Sequence, residues 1–181
     1  MSNSIEAIAH DLDIVDWGNT NQKVINAIRK ITTDQAILVS GTQFARLQNW
    51  MSSSIQGVGP GLIQDPANNI MYDFHQYFDD DGGAYGLCEP WSSFLPDFEE
   101  VTCVLRNSGY RGIITEFGGG PFSQCVALYE HFLSFLDRNS DVWFGWTTWS
   151  SPGDLYLSPE KNSTYYTLTS VLEKYTPLRG N

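Results

Sequence analysis

Positive charge is scarce in this chain: 10 Lys and Arg stand against 21 Asp and Glu in 181 residues, a formal net charge of −11. Nucleic acid and anionic membrane are therefore not expected as partners, because both are held by clustered cations that displace counterions. No apolar run approaches the roughly 20 residues that span a bilayer, and the opening MSNSIEAIAHDLD has neither the basic nor the apolar region of an export signal. As written, the sequence reads as soluble and without such a signal. Cysteine is rare too. Cys88, Cys103 and Cys125 are too few and too far apart for a structural zinc site, and one disulfide with one buried thiol fits them. Gly118-Gly119-Gly120 has neither GxGxxG nor Walker spacing and no lysine beside it, which argues against a phosphate cradle. No metal ion and no cofactor is expected.

What the chain does have is apolar and aromatic substance. With 41% hydrophobic and 14% aromatic residues, it can bury a sizeable core as one domain over residues 1–181. Six tryptophans and nine tyrosines leave neutral ligands open, since flat rings cover the apolar faces of sugars while their polar edges stay wet; core packing uses the same residues. Short apolar runs alternate with stripes at three- and four-residue steps. The spacing predicts a helix over about 20–32 with Val24, Ile28 and Ile31 on one face, then strands at 36–39, 70–74, 112–115 and 142–146. Between the later strands run helical stripes: Phe94, Phe98, Val101 and Leu105, closed by Asn107-Ser108-Gly109, and then Phe122, Val126, Tyr129, Leu133 and Leu136. Tyr165, Leu168, Leu172 and Tyr175 mark a last helix. Repeated strand–helix units imply parallel strands, because each crossover must carry a helix back over the sheet. The fold class is α/β.

In such folds functional groups collect at the C-terminal ends of the strands. Those ends present Gly41-Thr42-Gln43-Phe44, His75-Gln76-Tyr77, Glu116-Phe117-Gly118 and Trp146-Thr147-Thr148-Trp149. The set is that of a polar site with a stacking platform. Each member has a plainer reading: Glu116 as a solvated strand end, His75 as a satisfied core histidine, Trp149 as ordinary packing.

Asp73-Phe74-His75-Gln76-Tyr77, Thr115-Glu116-Phe117-Gly118-Gly119-Gly120, Asn139-Ser140-Asp141-Val142-Trp143-Phe144-Gly145-Trp146 and Trp149, in that order, resemble the C-terminal half of fungal family 5 glycoside hydrolases, the endo-β-1,4-glucanase type of cellulase. The resemblance runs from about His10 to the last helix. It implies four consecutive βα units of a (β/α)8 TIM barrel, strands five to eight, acting on β-glucan or cello-oligosaccharide by a retaining mechanism in the parent fold. It makes Glu116 the nucleophile, with His75 and Tyr77 beside it, and places His10 and Trp149 at the sugar. It also suggests a Cys88–Cys125 disulfide, Cys103 as the free thiol, and a secreted parent. Where the family carries its Asn-Glu-Pro acid/base motif, this chain reads Ala7-Ile8-Ala9; Glu6 is the nearest carboxylate, out of register.

Three readings follow. The chain is a partial cellulase domain whose competence depends on the missing acid, or a non-catalytic β-glucan binder, or a doubly wound α/β interaction domain with no sugar site. A half barrel would expose unpaired edges and associate through them.

Overall fold

The computed structural model describes residues 12–79, 86–119, 122–149 and 164–176. Helix α1 (Ile14–Arg29) starts where the Asp13 side chain accepts from the backbone N–H of Val15 at 2.9 Å and of Asp16 at 3.0 Å, satisfying donors that a helix start leaves without partners. It begins earlier than the expected position 20, and its inner face differs from the expected one. Val24 is 50% and Ile31 88% exposed, whereas Ile25 is buried, with Trp17 packed against the same core. Gly18 explains the rotation: a Cβ there would stand 2.1 Å from the Gly57 carbonyl oxygen, so glycine lets this face of α1 lie directly on the backbone of a neighbouring helix. The indole of Trp17 then donates to the Ser40 carbonyl at 2.9 Å, docking α1 on the sheet.

Strand β1 (Ile37–Ser40) is followed by a helical segment that the hydrophobic pattern did not suggest: α2 (Leu47–Asn49), a π-helical turn (Trp50–Ser54) and α3 (Ile55–Val58). Leu47, Trp50, Ser54 and Val58 are its buried residues. Their spacing is helical, but Ser52-Ser53-Ser54 interrupts the apolar stripe. Next come β2 (Ile70–Tyr77), a 3₁₀ turn (Trp91–Ser93), α4 (Leu95–Ser108), β3 (Gly112–Gly118), α5 (Ser123–Arg138), β4 (Trp143–Trp146) and α6 (Thr164–Tyr175). Helix α4 ends at Gly109, which takes φ 73°, a left-handed conformation that glycine adopts without steric cost.

The strands form one sheet in the order β1-β2-β3-β4, every pair parallel. One face is packed by helices. Val39, Tyr72, Phe74, Ile114, Phe117 and Trp143 are buried there, among edge-on ring contacts such as Phe117 with Phe132, whose centroids are 5.0 Å apart. The alternate residues point to the other face, where Leu38 is 41% and Phe144 56% exposed. The guanidinium of Arg111 lies over the Phe144 ring, 4.8 Å from its centroid. Among the described residues β1 and β4 are the edges, and no helix is long and apolar enough to cross a membrane.

Three ties close the periphery. Arg29 donates to both carboxylate oxygens of Asp65, at 2.7 and 2.8 Å, joining the end of α1 to the loop before β2. The same carboxylate accepts from the backbone of Ala67 and Asn69, and this bonding, with Arg29 first, holds the Asp65 carboxyl down at about 2. Lys174 and Tyr175 of α6 reach Glu130 of α5 at 2.7 and 2.9 Å. Cys88 and Cys125 are joined by a disulfide, their Cα atoms 5.2 Å apart. Cys103 is free and exposed, which corrects the reading of a buried thiol: it sits on the solvent side of α4, beside Asn107, whose amide donates to its sulfur.

Candidate active site

The site is built by an irregularity in the sheet. β2 and β3 pair in step from Tyr72↔Gly112 to Phe74↔Ile114; the ladder then slips, and His75 pairs with Glu116. Thr115 is the extra residue. A bulge of this kind disturbs the strict alternation of faces. Thr115 meets Asp73, donating its hydroxyl to Oδ1, while Glu116 meets His75 and Tyr77. The Tyr77 hydroxyl donates to Glu116 Oε1, and His75 Nδ1 lies 3.4 Å from Glu116 Oε2. The Glu116 side chain keeps 14% of its surface exposed, so it remains open to a ligand while two neighbours hold it. Tyr77 and His75, two residues apart on one strand, approach the same carboxylate from one side.

The loop after β1 comes to the same rim in an unusual conformation. Gln43, Phe44 and Ala45 take φ of 56°, 59° and 54°, a left-handed run that costs non-glycine residues roughly 1–2 kcal/mol each. The run places the Ala45 carbonyl where the His75 backbone N–H donates to it at 2.9 Å. Such strain persists only where surrounding contacts hold it, and it gathers at functional sites. On the other side, the segment after β4 continues along β3: Thr147 N–H donates to the Ile114 carbonyl at 2.8 Å and Trp149 N–H to the Phe117 carbonyl at 2.9 Å. Trp149 arrives beside the Glu116 level of the sheet with 45% of its surface exposed. Gly118 permits this crowding, since a Cβ there would stand 3.0 Å from the Tyr77 ring and 3.2 Å from the Trp149 carbonyl oxygen.

Glu116, His75, Tyr77 and Trp149 are thus brought to one end of the sheet. Gln76, also expected at the rim, is fully buried and donates to its neighbour's carbonyl at 2.7 Å, because alternation turns it toward the helices. His10 and Glu6 lie outside the described residues, as does Gly120. Asp73 and Thr115 were not singled out from the sequence; a polar residue two positions before His75 was the available signal. Among the described residues, no group of three or more His, Cys, Asp or Glu could hold a metal ion. A groove of about 880 Å³ runs past Cys88, Trp91, Gln124 and His131 and includes none of the four converging residues.

A parallel βα sheet with a held carboxylate and an exposed indole at its C-terminal rim has the layout of the barrel class, in which functional groups collect at that rim. Residues 8–152 match the model of the cellulase family, glycosyl hydrolase family 5. The chain belongs to that family, whose fold is of the TIM-barrel type. It is 35% identical over 177 residues to Endoglucanase 3 of Humicola insolens, covering 93% of this chain and 44% of that protein. With the probable endo-beta-1,4-glucanase B of Neosartorya fischeri it shares 33% identity over 178 residues, 92% of this chain and 52% of the relative. The structure of XacCel5A in complex with cellopentaose superposes with a TM-score of 0.80 at 29% identity, over 92% of this chain and 56% of that one. The chain spans about half the length of the relatives it matches. The reading as an unrelated doubly wound domain is set aside.

Proposed function

We propose that this chain carries the nucleophile side of a retaining β-1,4-glucan hydrolase site, its four strands corresponding to strands five to eight of an eight-stranded barrel. The observation that carries this reading is the convergence of His75 and Tyr77 on Glu116, with an exposed Trp149 beside them. A Glu116 oxygen attacks the anomeric carbon as the bond to the leaving sugar oxygen breaks, and an acid protonates that oxygen; water later cleaves the glycosyl ester. The Tyr77 hydroxyl fixes the orientation of the attacking carboxylate. His75 borders the reacting sugar. Trp149 stacks under a neighbouring ring, and His10 contributes to sugar binding. β-Glucan or a cello-oligosaccharide is the substrate class, in keeping with the cellopentaose complex of the structural relative.

The acid is the weak point. No Asn-Glu-Pro precedes His10 in register, and Glu6 is the nearest carboxylate. General acid assistance is typically worth about 10²–10⁴ in rate, so hydrolysis at the full rate requires a second carboxylate in addition to Glu116. That missing motif favours one second reading, a β-glucan binder without hydrolysis. The β1 and β4 strands, which are the sheet edges among the described residues, and the exposed Leu38 and Phe144 support association, with another copy or with a complementary half. The Cys88–Cys125 disulfide fits secretion into an oxidising environment. Reducing-end release from carboxymethylcellulose, compared between the wild type and Glu116→Gln, tests hydrolysis. Retardation in gels containing soluble β-glucan tests binding, and failure of both sinks the sugar site.

A further inference from the structure

We infer that Asp73 is a positioning residue for Glu116, acting through the bulge at Thr115. This rests on the proposed role of Glu116 but goes beyond it, because Asp73 touches neither Glu116's ligands nor the open rim. Its carboxylate is buried and bonded on both sides: Ser40 of β1 donates to Oδ2 at 2.7 Å, and Thr115 of β3 donates to Oδ1. One side chain in β2 thus ties its two neighbouring strands together just below the site. Thr115 is held from the other direction as well, its carbonyl accepting from the Thr147 hydroxyl beyond β4. The chain of contacts from Ser40 through Asp73 and Thr115 to Thr147 crosses the whole sheet.

The position of this clamp gives it a specific consequence. Thr115 is the residue that the β2–β3 ladder leaves over, and Glu116 reaches His75 only because Thr115 is left over. Without a partner for the Thr115 side chain, the ladder could pair in step, His75 with Thr115, and Glu116 would turn to the helix-packed face. Asp73 supplies the partner. A buried carboxylate with two hydroxyl donors is also costly to leave half satisfied, which makes the bulged arrangement the favoured one.

The test is the hydroxyl proton of Tyr77, followed by NMR in the intact chain and assigned by its absence in Tyr77→Phe. In the wild type, its bond to Glu116 places the resonance downfield. Thr115→Val keeps shape and charge but removes the donor; the resonance should move upfield or exchange away, and Thr115→Ser should restore it. Asp73→Asn, which leaves one acceptor for two hydroxyls, should displace it in the same direction, and it carries the test together with Ser40→Ala if Thr115→Val does not fold. Resonances unchanged in every folded variant, with only a lower melting temperature, would show that Asp73 merely joins strands and would overturn the proposal. If hydrolysis is measurable, kcat should fall on the order of 10²-fold in Thr115→Val with KM held. Absence of hydrolysis in the wild type counts against the enzymatic reading and leaves the resonance result standing, so the two failures are distinct.

Discussion

His75 faces Glu116 across neighbouring strands because the ladder between them slips by one residue: Phe74 pairs with Ile114, and the next residue, His75, pairs with Glu116. An in-step ladder would set His75 against Thr115. The bulge therefore brings the carboxylate to the imidazole and the phenol of Tyr77, and a one-residue change of register decides on which face the Glu116 side chain stands.

Replacing Glu116 by Gln should abolish any glucan hydrolysis, since an amide cannot attack the anomeric carbon, while leaving binding in affinity gels largely intact. Trp149→Ala should act the other way. Loss of the indole platform should weaken glucan binding by about tenfold, the equivalent of roughly 1–1.5 kcal/mol for an aromatic contact. Unchanged retardation in Trp149→Ala would remove that residue from the sugar site.

The Arg29–Asp65 tie should show itself in acid. Asp65 has a folded value of about 2 against an ordinary 3.8. Its contribution is therefore present above about 3.8 and is lost as the pH falls through about 2. Thermal melts of the wild type should drop across that window, and Asp65→Asn should be less stable at neutral pH with a shallower acid decline. Parallel pH curves for the two proteins would contradict the assignment.

Thiol titration of denatured, unreduced protein should find one reactive cysteine, Cys103, and three after reduction, given the single Cys88–Cys125 bond among the three. The bridge spans 37 residues, and closing a loop of that size is worth about 3–4 kcal/mol in the chain-entropy model. The double variant Cys88→Ser/Cys125→Ser should lose stability of that order in denaturant melts.

Leu38 and Phe144 stand exposed on the sheet face opposite the helices. The wild-type chain should bind a hydrophobic-surface dye or elute from a sizing column as an oligomer. Leu38→Glu combined with Phe144→Glu should diminish both signals without loss of far-ultraviolet circular dichroism. A monomer that binds no dye would show that this face is covered by other means.

The alternation of strands and helices, the parallel sheet and the placing of His75, Tyr77, Glu116 and Trp149 at its C-terminal rim were legible in the sequence, because side-chain periodicity and helix stops such as Asn107-Ser108-Gly109 are local signals. Even there, β2 and β3 ran on to Tyr77 and Gly118, past the apolar runs that announced them, since polar residues extend a strand when a neighbour offers its backbone. The face of α1 was misassigned because Gly18 chose it by close contact with Gly57, and no hydrophobic count registers a glycine. Nothing local foretold the π-helical turn, the left-handed run at 43–45, or the slip that leaves Thr115 over. The last two depend on partners distant in sequence: Ala45 on the backbone of His75, and Thr115 on Asp73 and Thr147. The sequence by itself determined that Glu116, His75, Tyr77 and Trp149 follow or end strands, and so stand near one rim. Tertiary pairing decided their register, because the energy difference between Thr115 and Glu116 facing His75 resides in contacts that exist only once three strands lie side by side.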